Sequence, residues 1–335
     1  MKRLHTESLP QPGDHRVHSA ALCWGAGVGP AGFRKLVACC GSAGAVLDAD
    51  ASDLQHADPR LSREQIELIT GLAGRLDEFA RRISLLEQSG VQVLTVDDAG
   101  YPGGFRALRN PPPIVCLRGG LAPQDRHTVA VVGTRRPAHS EIVRTERMVR
   151  ALARAGIAVV SGLAIGIDGA AHRAALSAGG HTIAVLGSGI QQIYPSQHVE
   201  LASTVAQTGG VLSELAPDCR VSVAALITRN RLIAALGALT VVVASDQRGG
   251  SLVTAREAHR LGKPVATFAD ELGYPARAGN HMLLQHGAVA MDDDNPDELC
   301  QLVHHTAASQ SLQVRSIETQ PDHLQMTLFA PPHIL

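Results

Sequence analysis

The stretch SGLAIGIDGAAHRAALSAGG, residues 161–180, decides the fold because its character changes within a few residues. It starts at the end of an apolar run, passes through Gly162 and Gly166, and becomes rich in alanine. Glycines between a strand and a helix allow a ligand to come close to the backbone. We interpret Asp168 as a cap that accepts backbone N–H groups, in preference to a catalytic group. The stretch predicts a strand that enters a helix at a ligand-binding edge.

The same alternation continues on both sides of this stretch. Apolar runs that alternate with helical segments and short loops predict an α/β fold with a doubly wound, mostly parallel sheet. The runs that predict strands are TVAVVG, IAVVSG, TIAVLG, GVLSE, TVVVAS, PVATFA and AVAM. The helices between the later runs are predicted near residues 228–237, 252–261, 279–286 and 296–305.

The N-terminal part of the chain is helical instead. Ser62, with Gln65 three residues later, is typical of a helix start, and VQVLTV predicts one short strand after the helices. From these changes we predict five segments. They are a disordered segment 1–16, a small helical domain 17–95, a proline-rich connector 96–127, a doubly wound α/β domain 128–308 and a flexible tail 309–335.

Composition limits the possible functions. The net charge of −1 gives no overall attraction to polyanions, so a nucleic-acid site has to be a local patch. Aromatic residues make up only 3% of the chain, which argues against an extensive base-stacking platform. The six cysteines and sixteen histidines show no metal-ligand spacing, and we expect reduced, mostly buried thiols in a cytoplasmic protein. No apolar run is long enough to span a membrane.

Unusual loops follow the predicted strands. GTRRP, residues 133–137, is neither a dinucleotide fingerprint nor a P-loop, but its glycine and arginines suit a phosphate. RNR, residues 229–231, puts two guanidinium groups at a helix start, where anions are favoured. GGS, residues 249–251, is a backbone-rich helix entry. Tyr194 either stacks on a base or packs. The candidate residues for a phosphate-bearing ligand are Gly133, Arg135, Arg136, Gly162, Gly166, Tyr194, Arg229, Asn230, Arg231, Gly249, Gly250 and Ser251.

The motifs together resemble those of the DprA/Smf family of DNA-processing proteins. They are VAVVGTR, SGLAIGID, AAHRAAL, GGHTIAVLGSGI, IYP, LSE, RNRLIA, GSLVTA and GNHMLLQHGA, in this order, and GVGPAGFRKLV resembles the family's hairpin-like N-terminal domain. The resemblance implies an extended Rossmann-type domain that binds single-stranded DNA without an enzymatic step or cofactor. It also implies homodimerisation and loading of a RecA-type recombinase, in natural transformation or recombination.

The resemblance also assigns residues. By position, Arg135 matches the arginine of the family's GSR turn, and Arg229 and Arg231 match its RNR motif. Residues 249–251 match its SGS loop, with Thr254 in the helix behind. The chain departs from the family pattern at Ile165 and Ser196, where basic residues are common, and at Ile227 and Thr228, in the segment before RNR where the family usually has Phe-Pro. We therefore expect weaker single-strand binding than is usual for the family.

Three alternatives stay open at this point. The first is a nucleotide-ligand sensor or phosphoribohydrolase of the related LOG type, for which GGSLVTARE offers Glu257 but lacks the usual proline and spacing. The second is a specialised member that acts in a defence or toxin–antitoxin module. The third is a scaffold that has lost its DNA site. The sequence predicts no catalytic residue and no metal site.

Overall fold

The computed structural model describes residues 11, 13–121, 128–269, 278–292 and 295–318, with side-chain surroundings as far as residue 308. Most of the segment 1–16 and the final residues 319–335 lie outside the described residues. The predictions of disorder and flexibility made for them are therefore not tested.

Helices and strands alternate along the described chain. The helices are α1 (His15–Ala20), α2 (Pro30–Cys40), α3 (Ala43–Asp48), α4 (Ala51–Ala57), α5 (Arg63–Thr70), α6 (Leu76–Gln88), α7 (Gly103–Arg106), α8 (His139–Arg154), α9 (Ile167–Ser177), α10 (Val199–Thr208), α11 (Val223–Thr228), α12 (Asn230–Leu236), α13 (Ser251–Arg260), α14 (Ala278–Gln285) and α15 (Pro296–Glu318). The strands are β1 (Val91–Thr95), β2 (Ile114–Gly119), β3 (Thr128–Val132), β4 (Ala158–Ser161), β5 (Thr182–Val185), β6 (Gly210–Ser213), β7 (Leu239–Val242), β8 (Val265–Phe268) and β9 (Val289–Met291).

The chain forms two compact units that are interleaved in sequence. Unit 1 comprises Met1–Leu121 and Ala184–Arg229, and unit 2 comprises Ala122–Ile183 and Asn230–Leu335. The boundary between Ile183 of unit 2 and Ala184 of unit 1 falls inside β5. The five sequential segments predicted above remain a prediction about domains, because this grouping follows contacts and not chain order.

Unit 1 contains the N-terminal helices, as predicted. Ser62 caps α5 by accepting the amide of Gln65 at 3.1 Å, and the Gln65 side chain accepts the Ser62 amide at 3.3 Å. This reciprocal capping box is the arrangement that the sequence indicated. The strand β1 pairs antiparallel with β2, and β2 pairs antiparallel with β6.

The strand β2 corrects the sequence interpretation. The segment 96–127 was predicted to be a proline-rich connector, but Ile114–Gly119 pairs with a strand on each side. Its apolar residues from Ile114 to Leu117 are buried. Three prolines precede this run, at positions where they remove no hydrogen bond from the strand. The prolines end before the strand begins and do not prevent it from forming.

Unit 2 contains a parallel sheet with helices on both faces. The strands lie in the order β4-β3-β7-β8-β9, and each described neighbouring pair is parallel. On one face, α8, α9 and α15 cover a buried core of mostly aliphatic side chains. Helices α12 and α13 contact β3 and β7 without contributing to that core, so they cover the other face. The described strand pairs are mostly parallel, and the α/β, Rossmann-like fold is confirmed.

Two expectations about this part of the chain need correction. Helix α15 continues to Glu318, ten residues into the segment predicted to be an unpatterned tail. The cysteines were expected to be mostly buried, but only Cys116 and Cys300 are, and Cys39 is exposed.

Within the described residues, no group of histidine, cysteine and acidic side chains could hold a metal ion. Over the same residues, no helix is both long and apolar enough to cross a membrane.

A buried carboxylate organises one side of unit 1. Oδ1 of Asp58 accepts hydrogen bonds from Nζ of Lys35 at 2.8 Å and from Nε of Arg60 at 3.2 Å. The Asp58 side chain is only 4% exposed. The hydrogen bond from Arg60, followed by the one from Lys35, lowers the pKa of Asp58 from 3.8 to about 2, against the opposing effect of burial. The ionised carboxylate therefore joins α2 to the turn after α4.

The Asp58 network predicts a pH-dependent stability. The substitution Asp58→Asn should lower the free energy of unfolding by about 1–3 kcal/mol near neutral pH, because hydrogen bonds to a charged group are lost. Since folding lowers the pKa of Asp58, its contribution is complete above the ordinary value of 3.8 and is lost as the pH falls through about 2. Urea unfolding at several pH values would measure this contribution.

A matched control is Glu67→Gln, which breaks the exposed pair between Arg63 and Glu67. Such exposed pairs contribute about 0.3–0.5 kcal/mol, so this change should be small. The assignment would be contradicted if the wild type and Asp58→Asn had the same free energy of unfolding at pH 7, or if the difference between them grew on acidification.

Candidate nucleic-acid interface

Three loops of unit 2 begin where neighbouring strands end. They are residues 162–166 after β4, 133–137 after β3 and 245–250 after β7, and we refer to them together as the loop cluster. Because β4, β3 and β7 are adjacent and parallel, their carboxyl ends lie at the same edge of the sheet. This is the edge at which open α/β sheets bind ligands.

The first two loops are packed directly against each other. The amide of Ile167 donates to the carbonyl of Thr134 at 3.2 Å. A Cβ atom at Gly133 would lie 2.6 Å from Cγ1 of Ile167, and one at Gly166 would lie 2.4 Å from the carbonyl oxygen of Thr134. Gly166 also has a φ of +89°, which side chains other than glycine rarely adopt. The backbone that approaches Gly166 is thus the chain's own.

Gly162 and Asp168, the predicted helix cap, have different roles from those that the sequence suggested. The N-cap position of α9 is Gly166, which offers no side chain, so Asp168 is not the N-cap residue of its helix. The carboxylate of Asp168 is buried, and its Oδ2 accepts the amide of Gly162 at 3.2 Å. Asp168 therefore closes the 162–166 loop onto the start of α9. This contact also uses the Gly162 amide, which the sequence analysis had left available for a ligand.

The arginines of the GTRRP loop are exposed. Within the described part of the chain, the guanidinium of Arg135 makes no hydrogen bond or ion pair, so it is available for a ligand. The amide of Arg136 donates to Oγ1 of Thr134 at 3.2 Å, which fixes the turn beneath both side chains. The Thr134 amide donates to the carbonyl of Ala244 at 2.8 Å and joins this loop to the end of β7.

The loop after β7 offers backbone donors. Gly250 is the N-cap of α13, with φ −61°, and no atom of the described chain lies within 4 Å of the position of a Cβ there. Among the described residues, no acceptor is bonded to the amides of Gly250 and Ser251. Gly249 is different, since a Cβ at that residue would lie 2.3 Å from Oγ of Ser245. Gly249 therefore serves packing, whereas Gly250 leaves open space in front of a helix N-terminus.

Sequence reasoning overlooked one arginine in this loop. Arg248 is exposed and has no hydrogen bond or ion pair within the described residues. Its place directly before the two glycines was visible in the motif QRGGS, but the resemblance drew attention to the glycines and serine. The loop cluster carries three exposed arginines, Arg135, Arg136 and Arg248, and one exposed carboxylate, that of Asp246. The loop cluster is thus locally cationic in a chain of net charge −1.

Asn230, at the start of α12, contacts the loop that follows β7. The carboxamide nitrogen of Asn230 donates to the carbonyl of Gly250 at 3.2 Å, and Asn230 is buried. Arg231 is half-buried on the same helix. Asn230 thus holds the helix entry at Gly250 in place, and a role in direct contact with a ligand remains a prediction for both residues.

Two predicted site residues belong to unit 1. Tyr194 follows β5 and is 43% exposed, so its ring is accessible. Arg229 is only 4% exposed, and its Nη1 donates to the carbonyl of Val185 at 2.7 Å. The sequence analysis placed Arg229 in a phosphate site at a helix start. Its burial and its bond to the end of β5 give it a structural role, which residue type alone could not reveal, and its contact with a ligand remains a prediction.

Glu257 is the residue on which the hydrolase alternative depends. It lies in the middle of α13, and its Oε1 is 2.6 Å from Nη1 of Arg260. This pairing within one helix gives Glu257 a partner away from the Gly250 entry of the helix. The contact offers no support for Glu257 as a catalytic carboxylate.

Comparison with known proteins agrees with this architecture. The sequence profile of the family described as DNA recombination-mediator protein A matches residues 92–304. A DNA processing protein DprA of Mycobacterium tuberculosis is 38% identical over 250 residues, which cover 70% of this chain and 64% of that protein. The match therefore spans somewhat less than two-thirds of that relative.

Two solved structures are similar over most of their own length. The structure of DNA processing protein A from Streptococcus pneumoniae has a TM-score of 0.62 at 27% identity, covering 82% of this chain and 94% of that one. The structure of DNA processing protein A from Helicobacter pylori, described for its single-stranded DNA binding mode, has a TM-score of 0.56 at 29% identity. It covers 63% of this chain and 96% of that one.

The burial of Arg229 predicts a stability effect. Arg229→Met should lower the free energy of unfolding by about 2 kcal/mol, because the substitution removes a charged donor and leaves the Val185 carbonyl without it. Thermal and urea unfolding would measure the loss. Arg150→Met is the control, since Arg150 is exposed and its ion pair with Glu146, one helical turn away, is a surface pair of small energy. Equal stability of the two variants would show that Arg229 is not structural.

Proposed function

Because the chain belongs to the DNA recombination-mediator protein A family, we propose that it binds single-stranded DNA and passes it to a RecA-type recombinase in the cytoplasm. The observation that carries the proposal is the loop cluster. Three exposed arginines and an open helix entry lie at the ends of neighbouring strands. The Helicobacter pylori relative, described as binding single-stranded DNA, supports the choice of ligand.

The proposed contact is mainly with the phosphate backbone. Arg135 supplies a guanidinium able to bind one phosphate through two hydrogen bonds, and Gly250 and Ser251 supply amides at the positive end of α13. Arg136 and Arg248 add charge on either side. Because Gly250 has no side chain, a phosphate can approach these amides closely.

A local cationic site favours a single strand over a duplex. A duplex presents a wide, stiff phosphate surface, and a chain with net charge −1 has no matching broad basic field. A single strand can bend into a small loop cluster and bring successive phosphates to it. Tyr194 is the aromatic group proposed to stack on a base. We expect affinity to fall steeply with salt, with a slope of roughly −0.7 per phosphate neutralised.

The proposal assigns binding without catalysis. Glu257, on which the hydrolase alternative depends, is paired with Arg260. Nucleotide hydrolysis by the wild type that disappears in Glu257→Gln would favour the enzyme instead.

The homodimer is part of the proposal and is assigned to the β9 edge of the unit 2 sheet, beyond which no further strand pairs among the described residues. The strand β9 is last in the strand order, and Val289 is 39% exposed there. A groove beside it is lined by β9 and by the first turns of α15, including Leu299 and Leu302. Two copies of this edge, related by a two-fold axis, can pair their β9 strands and cover each other's groove.

The dimer assignment predicts the effect of a charge on the edge. Val289→Lys should convert a dimer to a monomer at micromolar concentration, because a lysine on an exposed edge opposes strand pairing. Light scattering would measure the mass. Val143→Lys is the matched control, with a valine that is 48% exposed on α8. A dimeric Val289→Lys variant would exclude this edge, and a monomeric wild type would exclude the homodimer.

The loop cluster predicts two separable losses of affinity. Arg135→Ala should weaken binding of a single-stranded oligonucleotide by about 10- to 100-fold, since a hydrogen bond to a charged group contributes about 1.5–3 kcal/mol. Gly250→Ala should also weaken binding, because its methyl group would stand where the phosphate approaches the amides. Neither change should alter the melting temperature, as Arg135 is exposed and residue 250 has open space and a φ suited to alanine.

Fluorescence anisotropy at several salt concentrations would measure these affinities. Arg150→Ala, on the exposed face of α8, is the control and should bind as the wild type does. The site assignment is wrong if Arg135→Ala and Gly250→Ala both keep full affinity. The proposed function is wrong if the wild type binds duplex as tightly as single strands.

A further inference from the structure

The motif GNHMLLQHGA contains a buried asparagine that the proposed DNA contact does not use. Asn280 is the third residue of α14 and is 1% exposed. Its carboxamide faces the ends of two neighbouring strands, β7 and β8, and not a ligand surface.

Three hydrogen bonds satisfy this carboxamide. Its Oδ1 accepts the amide of Ser245 at 2.8 Å, and its Nδ2 donates to the carbonyls of Val243 at 3.0 Å and Phe268 at 3.4 Å. These backbone groups lie just beyond the end of β7 and at the last residue of β8. One side chain therefore replaces the backbone pairing that both strands lose where they separate.

The glycine before Asn280 makes this approach possible. The Gly279 amide donates to the Ser245 carbonyl at 3.0 Å. A Cβ at Gly279 would lie 2.6 Å from the same oxygen and 2.7 Å from the carbonyl of Asp246. Residues 279 and 280 thus hold both the amide and the carbonyl of Ser245.

Ser245 transmits this restraint to the loop after β7. Its hydroxyl accepts a hydrogen bond from Oγ of Ser251 at 2.8 Å and donates to the carbonyl of Asp246 at 3.1 Å. Both serines are buried. The same hydroxyl is the atom that leaves no room for a side chain at Gly249. The helix entry at Gly250 and Ser251 is therefore placed by Ser245.

Ala244, the residue before Ser245, supports the GTRRP loop, which carries Arg135 and Arg136. The Ala244 carbonyl accepts the amide of Thr134, and the Val243 amide donates to the Val132 carbonyl at 3.0 Å. Residues 243–245 are thus the common support of the GTRRP loop and of the GGS helix entry. Asn280 binds the two ends of this short segment.

We propose that Asn280 is a positioning residue for DNA binding: by fixing residues 243–245, it holds the loop that carries Arg135 and the Gly250–Ser251 helix entry in a fixed relation to each other. This inference rests on the proposed single-stranded DNA function. Asn280 touches no DNA itself. Its effect on affinity passes through the backbone of Ala244 and Ser245.

The test is a double-mutant cycle between Asn280 and Arg135, measured by anisotropy with a fluorescent oligothymidylate well below the melting temperature of each variant. Asn280→Ala should weaken binding about tenfold. Because part of the Asn280→Ala loss passes through Arg135 and part through the Gly250–Ser251 amides, adding Asn280→Ala to Arg135→Ala should cost about threefold more, clearly less than tenfold. A structural role alone would give the product of the two single losses.

The control for stability is Asp58→Asn in unit 1, which should be destabilised but should bind as the wild type does. If Asn280→Ala does not fold, Ser251→Ala tests the same path, because it removes only the hydroxyl that bonds Ser245. It should weaken binding about threefold, and by less in the Arg135→Ala background. Full affinity of Asn280→Ala or Ser251→Ala, or strictly multiplicative losses, would overturn the inference while the proposed function stands. A wild type that binds no oligothymidylate would overturn the function itself.

Discussion

The hydrogen bond from the Thr134 amide to the Ala244 carbonyl, 2.8 Å long, joins two loops that would otherwise be independent. Strands β3 and β7 end side by side, and this bond links the start of the loop after β3 to the segment that follows β7. The bond keeps the GTRRP turn beside the segment that enters α13. Gly166 then fits against Thr134, so the loop after β4 is tied to the same point. This backbone contact and the glycines that permit close approach set the geometry of the candidate site, on the support that Asn280 gives to residues 243–245.

The glycines of the loop cluster consequently have two different functions. Gly133, Gly166 and Gly249 leave no room for a side chain because protein atoms occupy the space. Gly250 alone among these four faces open space. Only the open position can admit a phosphate to backbone amides, so the ligand-binding part of the glycine-rich pattern is smaller than the pattern itself. The rest of it builds the rigid support that such a contact needs.

The alternating apolar runs were sufficient to predict β3, β4, β7 and β8, because strands buried on both faces of a parallel sheet are continuously apolar. The strand β2 was missed, since the prolines before it suggested a connector. The roles of Arg229 and Asn280 could not be predicted. Each depends on strand ends that lie far away in sequence, and an arginine at a helix start looks the same whether it is buried or exposed. Arg248 was predictable from its loop and was overlooked.

The central claim is that the loops at the ends of β3 and β7 receive the phosphates of a single strand. Amide hydrogen exchange with and without an oligothymidylate tests it most directly. The account predicts slower exchange at residues 134–136 and 249–251 in the complex, with no change in the exposed turns of α8. Protection that is absent from both loops, while the oligonucleotide is bound, would contradict the account.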